Sequence, residues 1–169
     1  IKRYGVYRML TIELKGVKIL QKSKYIKTKI IDPRYIKFSK AKILIVDDND
    51  NNRAVLNDHL LSFGFTVYEA ENGLQGVEIA EKIVPDLIFM DIRMPVMDGY
   101  EATLKLAKNT HTKSIPIIAC TASAFTATEK DIKSKGFSGY IRKPILLDDV
   151  FRELTKFFKW EKGKHSVNP

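Results

Sequence analysis

Five short apolar runs, each followed by polar residues and then by a stretch with helical spacing, constrain the fold of this chain more than any other feature. The runs cover residues 42–46, 66–70, 86–90, 115–119 and 138–141. Apolar runs of this length are typical of strands that are buried on both faces. Strands that alternate with helices are joined by right-handed crossovers, so the pattern predicts an α/β fold with one parallel sheet.

The stretches between the runs carry apolar residues at spacings of three and four, as an amphipathic helix requires. Leu56, Leu60 and Phe63 define the first helix, and Gly64 is suited to end it. The remaining helices are predicted over residues 76–83, 100–108, 122–135 and 147–158. Their buried stripes are expected to include Val77, Ala80 and Val84 in the second helix and Val150, Leu154 and Phe157 in the last.

Charge divides the chain into unequal parts. The sequence has 29 Lys and Arg against 20 Asp and Glu, but residues 1–40 alone hold 12 basic and 2 acidic side chains. We therefore expect a basic N-terminal segment over residues 1–40, a domain over 41–159 and a polar tail over 160–169. The stretch 10–14 alternates apolar and polar residues and predicts one strand within the basic segment.

Cysteine content and hydropathy limit the cellular environments in which this chain is expected to function. Cys120 is the one cysteine, so neither an intrachain disulfide nor a multi-cysteine metal site can form. This usage fits a reducing compartment, and we expect a cytoplasmic location. The sequence has no window of about 18 apolar residues, so no membrane insertion of this segment is expected. The chain begins at Ile1 rather than at methionine, which suggests a fragment or a processed chain.

Polar side chains follow four of the five predicted strands. Asp47 and Asp48 come after the first strand, Asp91 after the third, Thr121 after the fourth and Lys143 after the fifth. In parallel sheets the carboxyl ends of the strands lie at one edge, and ligands bind there. The sequence therefore predicts that three carboxylates, one hydroxyl and one ammonium group meet at one edge of the sheet.

The chemistry of this set points to a metal ion and a phosphate. Two carboxylates about 5 Å apart at an effective dielectric of about 20 repel by about 3 kcal/mol, so such a cluster favours a cation. Oxygen ligands with several waters suit Mg²⁺. A lysine and a hydroxyl alongside suit an anion such as phosphate. No histidine, cysteine or serine stands at these positions, so the best nucleophile is an aspartate, which can form an acyl phosphate.

Four sequence motifs identify a family at this point. Residues 41–159 resemble the receiver domain of two-component response regulators through KILIVDDND (42–50), LIFMDIRMPVMDGYEAT (87–103), IIACTAS (117–123) and GYIRKP (139–144). The joint occurrence of these motifs in this order is far more specific than any one of them. The resemblance implies a flavodoxin-like, doubly wound (βα)5 fold with strand order 2-1-3-4-5.

The resemblance also implies a role for each residue of the set. Asp91 would accept phosphate from a phosphohistidine on a histidine kinase or a histidine phosphotransfer domain. Asp48, Asp91 and the backbone carbonyl of Arg93 would ligate Mg²⁺, with Asp47 acting through a water; Lys143 would pair with the phosphoryl oxygens. Thr121 and Tyr140 would move on phosphorylation and switch partner binding. The family further implies a cis peptide at Lys143–Pro144, at most slow autodephosphorylation, and a possible homodimer through the fourth and fifth helices.

The first forty residues leave the parent protein open. Residues 9–19, MLTIELKGVKI, faintly resemble the last strand of a histidine-kinase ATP-binding domain, which would make this the receiver of a hybrid sensor kinase. Lysines and arginines interleaved with aromatic residues suggest nucleic acid or an anionic surface as another partner; the aromatic residues are Tyr4, Tyr7, Tyr25, Tyr35 and Phe38. No helix-turn-helix or RNA-binding signature accompanies them, which argues against nucleic acid.

Two other functions and several structural roles remain as alternatives. A Mg²⁺-dependent phosphatase could use the same aspartate chemistry, but such enzymes place a general acid two residues after the nucleophile, where this chain has Arg93. A receiver-like module that binds partners without phosphorylation is the third function. The alternative role for Asp47, Asp48 and Asp50 is that of simple helix caps, and Asp98 is expected to shape a turn before Gly99.

Overall fold

The computed structural model describes residues 36–122 and 129–162, which form seven strands and five helices. In chain order the elements are β1 (Ile36–Phe38), β2 (Lys42–Val46), α1 (Asp50–Ser62), β3 (Thr66–Ala70), α2 (Gly73–Ile83), β4 (Leu87–Asp91), α3 (Gly99–Lys108), β5 (Ile117–Thr121), α4 (Glu129–Ser134), β6 (Gly139–Arg142), α5 (Leu147–Leu154) and β7 (Trp160–Lys162). The predicted strand over residues 10–14 and the predicted helical residues 123–128 lie outside the described part of the chain.

Strands β2 to β6 form one parallel sheet in the order β3-β2-β4-β5-β6. When only these five strands are counted, this is the expected order 2-1-3-4-5, so the predicted fold is confirmed. Every residue of the neighbouring strands β4 and β5 is buried, as expected for strands covered on both faces. The carboxyl ends of the strands therefore lie along one edge of the sheet.

The sheet separates two layers of the core. Residues alternate between the layers along β2, with Ile43 and Ile45 in one cluster and Leu44 and Val46 in the other. Helices α1 and α5 cover the first layer, while α2, α3 and α4 cover the second. Each fully buried aliphatic side chain of this kind contributes about 2 kcal/mol, and together they hold the strand ends in place.

Asparagine and aspartate side chains fix where three of the helices begin. Asn49 caps α1 by accepting the N–H groups of residues 51 and 52, and Asn72 caps α2. Asp98 caps α3 by accepting the N–H of Glu101. Asn49 takes the capping position at the start of α1, so this structure does not use Asp47 or Asp48 as its N-cap.

A short antiparallel ribbon joins the two ends of the described chain. Strand β1 pairs with β7, with Phe38 opposite Trp160. The Phe38 ring packs against Phe63, Phe65 and Phe151, with ring centroids 5.2 to 5.9 Å apart. The packed unit thus extends past the predicted domain limits of residues 41 and 159, and the expected polar tail begins with a paired strand.

Two details of the predicted helices were wrong. Helix α5 ends at Leu154 rather than at residue 158, and the turn that follows leaves Phe157 37% exposed while Phe158 packs against Phe65. Val84 is 46% exposed because it ends α2 in the left-handed conformation. Among the described helices, none is both long and apolar enough to cross a lipid bilayer.

Candidate functional site

The edge formed by the carboxyl ends of the strands brings together the residues that the sequence selected. Asp47 and Asp48 follow β2, Asp91 is the last residue of β4, Thr121 is the last of β5, and Lys143 follows β6. We call these five residues the site rim. One carboxylate oxygen from each of Asp47, Asp48 and Asp91 lies within 4.8 Å of the other two.

Lys143 lies between two of the carboxylates. Its Nζ is 2.6 Å from Asp91 Oδ2 and 2.7 Å from Asp47 Oδ2, although 52 residues separate Lys143 from Asp91 in the chain. The lysine backbone N–H donates to the carbonyl of Thr121 at 2.8 Å, and the Lys143–Pro144 peptide is cis, as the resemblance implied. The two carboxylates outweigh the effect of burial and raise the pKa of Lys143, so its ammonium form is favoured.

The Asp47 side chain is buried and held from several directions. Its Oδ1 accepts the backbone N–H of Asn49 at 3.0 Å and the amide of Asn52 at 3.1 Å. Its backbone N–H donates to the carbonyl of Ala70 at the end of β3. Asn52 was not among the predicted site residues, although its position five residues after a strand-end aspartate, one turn into α1, is a signal that could have found it.

Asp91 is the most central acid of the site rim. It is 6% exposed, and burial raises its carboxyl pKa more than the hydrogen bond and charge of Lys143 lower it. The backbone N–H of Arg93 donates to Asp91 Oδ1 at 3.4 Å, so the peptide before Arg93 lies at the rim while the residue itself is exposed. Raised basicity and a neighbouring ammonium group suit a carboxylate that must react and then carry extra negative charge.

The loop after Asp91 depends on one glycine. The Gly99 N–H donates to the carbonyl of Ile92 at 3.0 Å, which folds the loop back on itself. A Cβ built on Gly99 would lie 2.1 Å from the Asp91 carbonyl oxygen, far inside contact distance. Only glycine therefore allows this close approach of the α3 start to the end of β4.

Thr121 and Tyr140 lie on neighbouring strands near the rim. Thr121 is 7% exposed at the end of β5, where it pairs in register with Arg142. Tyr140 is half-buried two residues earlier on β6, and its ring lies 5.8 Å from the guanidinium carbon of Arg142. The structure thus brings both residues predicted as switch elements to the strand pair that carries Lys143.

The donor set fits a small hard cation. Three carboxylates converge, two of them buried and Asp48 open to solvent. Oxygen donors from only a few residues, with room for water on the open side, match the preference of Mg²⁺ for partly hydrated octahedral coordination. Cys120, buried behind the rim, has its thiol pKa raised by desolvation and is not a reactive thiolate.

Comparison with known proteins gives one consistent family. The sequence model of the family described as "Response regulator receiver domain" matches residues 43–155. The polar-differentiation response regulator DivK of Brucella anthropi is 37% identical over 103 residues, which are 61% of this chain and 84% of that protein. Hybrid signal transduction histidine kinase G of Dictyostelium discoideum is 39% identical over 131 residues. That match covers 76% of this chain but only 4% of the kinase.

Solved structures agree with the sequence relatives. The receiver domain of sensor histidine kinase PA1611 from Pseudomonas aeruginosa superposes with a TM-score of 0.65 at 34% identity, covering 70% of this chain and 98% of that one. That structure is described with a magnesium ion coordinated in its active site cleft. The chemotaxis protein CheY4 of Vibrio cholerae gives a TM-score of 0.65 at 28% identity, covering 70% of this chain and 99% of that one.

Proposed function

Because the chain belongs to the response regulator receiver domain family, whose members are phosphoacceptors in two-component signalling, we propose that Asp91 is its phosphoacceptor. The observation that carries this assignment is the position of Asp91 in the site rim. Its carboxylate lies within 4.8 Å of two other acids and 2.6 Å from the ammonium group of Lys143. A carboxylate in this setting has both the nucleophile and the charge balance that phosphoryl transfer requires.

In the proposed reaction a carboxylate oxygen of Asp91 attacks the phosphorus of a phosphohistidine. The O–P bond forms as the P–N bond breaks, and the electron pair of the P–N bond leaves with the imidazole, which then takes up a proton. Lys143 already contacts Asp91 Oδ2, so its ammonium group lies beside the oxygens that gain negative charge. Stabilisation of developing charge by a fixed cation is the largest contribution that such a site makes.

We assign the metal of this reaction as Mg²⁺, with Asp48, Asp91 and the carbonyl of Arg93 as direct ligands and Asp47 acting through water. When bound, Mg²⁺ supplies neutralisation of the carboxylates and of the transferred phosphoryl group. Asn52 and the N–H of Asn49 hold the Asp47 carboxylate towards the rim. The convergence of three acids on one point supports the assignment.

Thr121 and Tyr140 are proposed to transmit the phosphorylation. The hydroxyl of Thr121 would move to hydrogen-bond the phosphoryl group, and Tyr140 would turn inward behind it. Support comes from their places on paired strands β5 and β6 next to Lys143. A local charge change would thereby bias a two-state element and alter the surface offered to partners.

Family membership and the sequence relatives also support proposals about the phosphate donor and the parent protein. Receiver domains in general take phosphate from histidine kinases or phosphotransfer domains, and we propose such a donor here. We propose that residues 1–40 link the receiver of residues 41–159 to a hybrid kinase in the cytoplasm, since two of the relatives are histidine kinases of which the chain spans 13% and 4%. A homodimer through α4 and α5 is a further proposal.

Incubation with Mg²⁺ and acetyl phosphate tests the phosphoacceptor assignment. We expect the intact mass to rise by one phosphate, with the adduct stable in acid and lost in base. Asp91→Asn should abolish the adduct, while Asp98→Asn, a matched change in the same loop that preserves the α3 cap, should leave it intact. An adduct that persists in Asp91→Asn would overturn the assignment.

A further inference from the structure

A buried arginine next to the site rim is not explained by phosphoryl transfer itself. Arg53 lies in α1 and is only 8% exposed, although it carries a full charge. Burying a charge is costly unless it is paired and hydrogen-bonded, so such a residue normally has a specific task. Each of its three guanidinium nitrogens has an acceptor.

The contacts of Arg53 converge on the backbone between the two acids that follow β2. Nη1 donates to the carbonyl oxygen of Asp47 at 2.8 Å, and this carbonyl belongs to the peptide unit that joins Asp47 to Asp48. Nε donates to Glu69 Oε2 at 3.2 Å on β3. Nη2 pairs with Asp50 at the start of α1 and lies 3.9 Å from Glu71.

These acids hold the guanidinium group in one orientation. Burial alone would lower the pKa of Arg53, but the hydrogen bonds to Asp50 and Glu69 raise it above the usual value. The planar fork of arginine bridges β3 and the Asp47–Asp48 peptide in a way that a lysine ammonium cannot reproduce. The carbonyl of this peptide is therefore clamped by a guanidinium group that is itself held by other acids.

We infer that Arg53 is a positioning residue for the Mg²⁺ site: it fixes the Asp47–Asp48 peptide so that both neighbouring carboxylates face the ion. This inference rests on the proposed function. The guanidinium carries the same sign of charge as the metal, so its direct electrostatic effect opposes binding. If Arg53 acts by positioning, removal of its charge should weaken Mg²⁺ binding. If it acts only through its charge, the same removal should strengthen Mg²⁺ binding.

Titration of the full chain with Mg²⁺, monitored by NMR of the backbone amides, measures the Mg²⁺ affinity without phosphorylation. We expect Arg53→Met and Arg53→Lys each to weaken Mg²⁺ binding by about tenfold, the usual size of an effect from a residue that orients a metal ligand. Arg152→Met, which removes an exposed arginine of α5 paired with Asp149, is the matched control and should leave the affinity unchanged. Arg53→Lys keeps the charge and serves if the Met variant does not fold.

Unchanged or tighter binding in the Arg53 variants, with normal binding by the wild-type chain, would overturn the inference and leave the proposed function standing. No Mg²⁺ binding by the wild-type chain would instead overturn the proposed metal site and this inference with it. A metal-free readout checks the clamp itself: the Arg53 Nε–H should exchange with water far more slowly than that of Arg152. Equal exchange rates would also contradict the clamp.

Discussion

The site rim and the β1–β7 ribbon lie in one packed unit but are held by different forces. At the rim, Lys143 bridges two carboxylates at 2.6 and 2.7 Å, and the strand ends set the spacing of the groups. In the ribbon, three paired residues on each side are held by aromatic packing around Phe38 and by the contact of Trp160 with Phe151, whose ring centroids lie 5.1 Å apart.

Chemistry and packing are separable in this fold. Polar contacts at the rim favour one arrangement of charges but gain little net stability, since burying ions is costly. Aromatic contacts in the ribbon contribute stability through apolar area and demand no particular charge. Changes at the rim should therefore alter phosphoryl transfer most, whereas changes in the ribbon should alter folding and leave the chemistry intact.

The largest effect is expected from removing the cation of the rim. Lys143→Met should slow phosphorylation by acetyl phosphate by about 100-fold, because it removes the fixed charge beside the reacting oxygens. The rate is measured from the time course of the phosphorylated mass. Lys105→Met, an exposed lysine of α3, is the control and should react at the wild-type rate. If the Lys143 variant reacts at a rate within twofold of wild type, Lys143 does not contribute to phosphoryl transfer.

The next largest effect should come from the glycine that links the rim to α3. Gly99→Ala places a methyl group against the Asp91 carbonyl, so we expect the free energy of unfolding to fall by about 2–3 kcal/mol and phosphorylation to slow. Gly64→Ala serves as the comparison, because its Cβ would meet no atom within 4 Å and only its φ of +87° opposes the change. That variant should lose about 1 kcal/mol in urea unfolding and phosphorylate normally. If Gly99→Ala and Gly64→Ala slowed phosphorylation equally, the close approach of Gly99 to Asp91 would not be what phosphorylation depends on.

In the ribbon, Phe38→Ala should lower the free energy of unfolding by about 2 kcal/mol, since it removes a half-buried ring that contacts three others. Urea denaturation gives the value. Phe157→Ala, an exposed phenylalanine of the same region, should cost less than 0.5 kcal/mol by the usual behaviour of surface substitutions. A Phe38 variant with weakened Mg²⁺ binding in its folded state would show that ribbon and rim are coupled after all.

The smallest effect concerns pH. Because the pKa of Asp91 is raised in the folded protein, the native state holds this proton more tightly than the unfolded chain does. The free energy of unfolding therefore decreases as the pH rises from the ordinary pKa of Asp91, 3.8, through its raised pKa in the folded protein. In metal-free buffer, Asp91→Asn should therefore gain stability relative to wild type between pH 4 and pH 7. A relative loss over that range would contradict the burial argument.

The sequence predicted the rim well because strand ends determine it. Asp91 and Lys143 are 52 residues apart, yet a parallel sheet places residues after neighbouring strands side by side whatever lies between them. The apolar runs fixed the strands to within about two residues, and the polar residues after them followed. The strand order and the cis Lys143–Pro144 peptide came from the family resemblance rather than from periodicity.

What the sequence did not predict depends on contacts that no local pattern carries. The ribbon uses two three-residue strands that are far apart in the chain, too short for alternation to be visible. Phe157 and Phe158 are equally apolar, and only the early end of α5 decides which ring packs against the core. Nothing in the local sequence around Arg53 indicates that it is buried, because its partner Glu69 comes from β3.

Chemical mapping of the phosphorylated residue tests the central claim most directly. The chain is phosphorylated with acetyl phosphate and Mg²⁺, reduced with borohydride to convert an aspartyl phosphate to homoserine, digested and sequenced by mass spectrometry. The account predicts homoserine at position 91 and at no other aspartate. Homoserine at position 47 or 48 with Asp91 unmodified would contradict it.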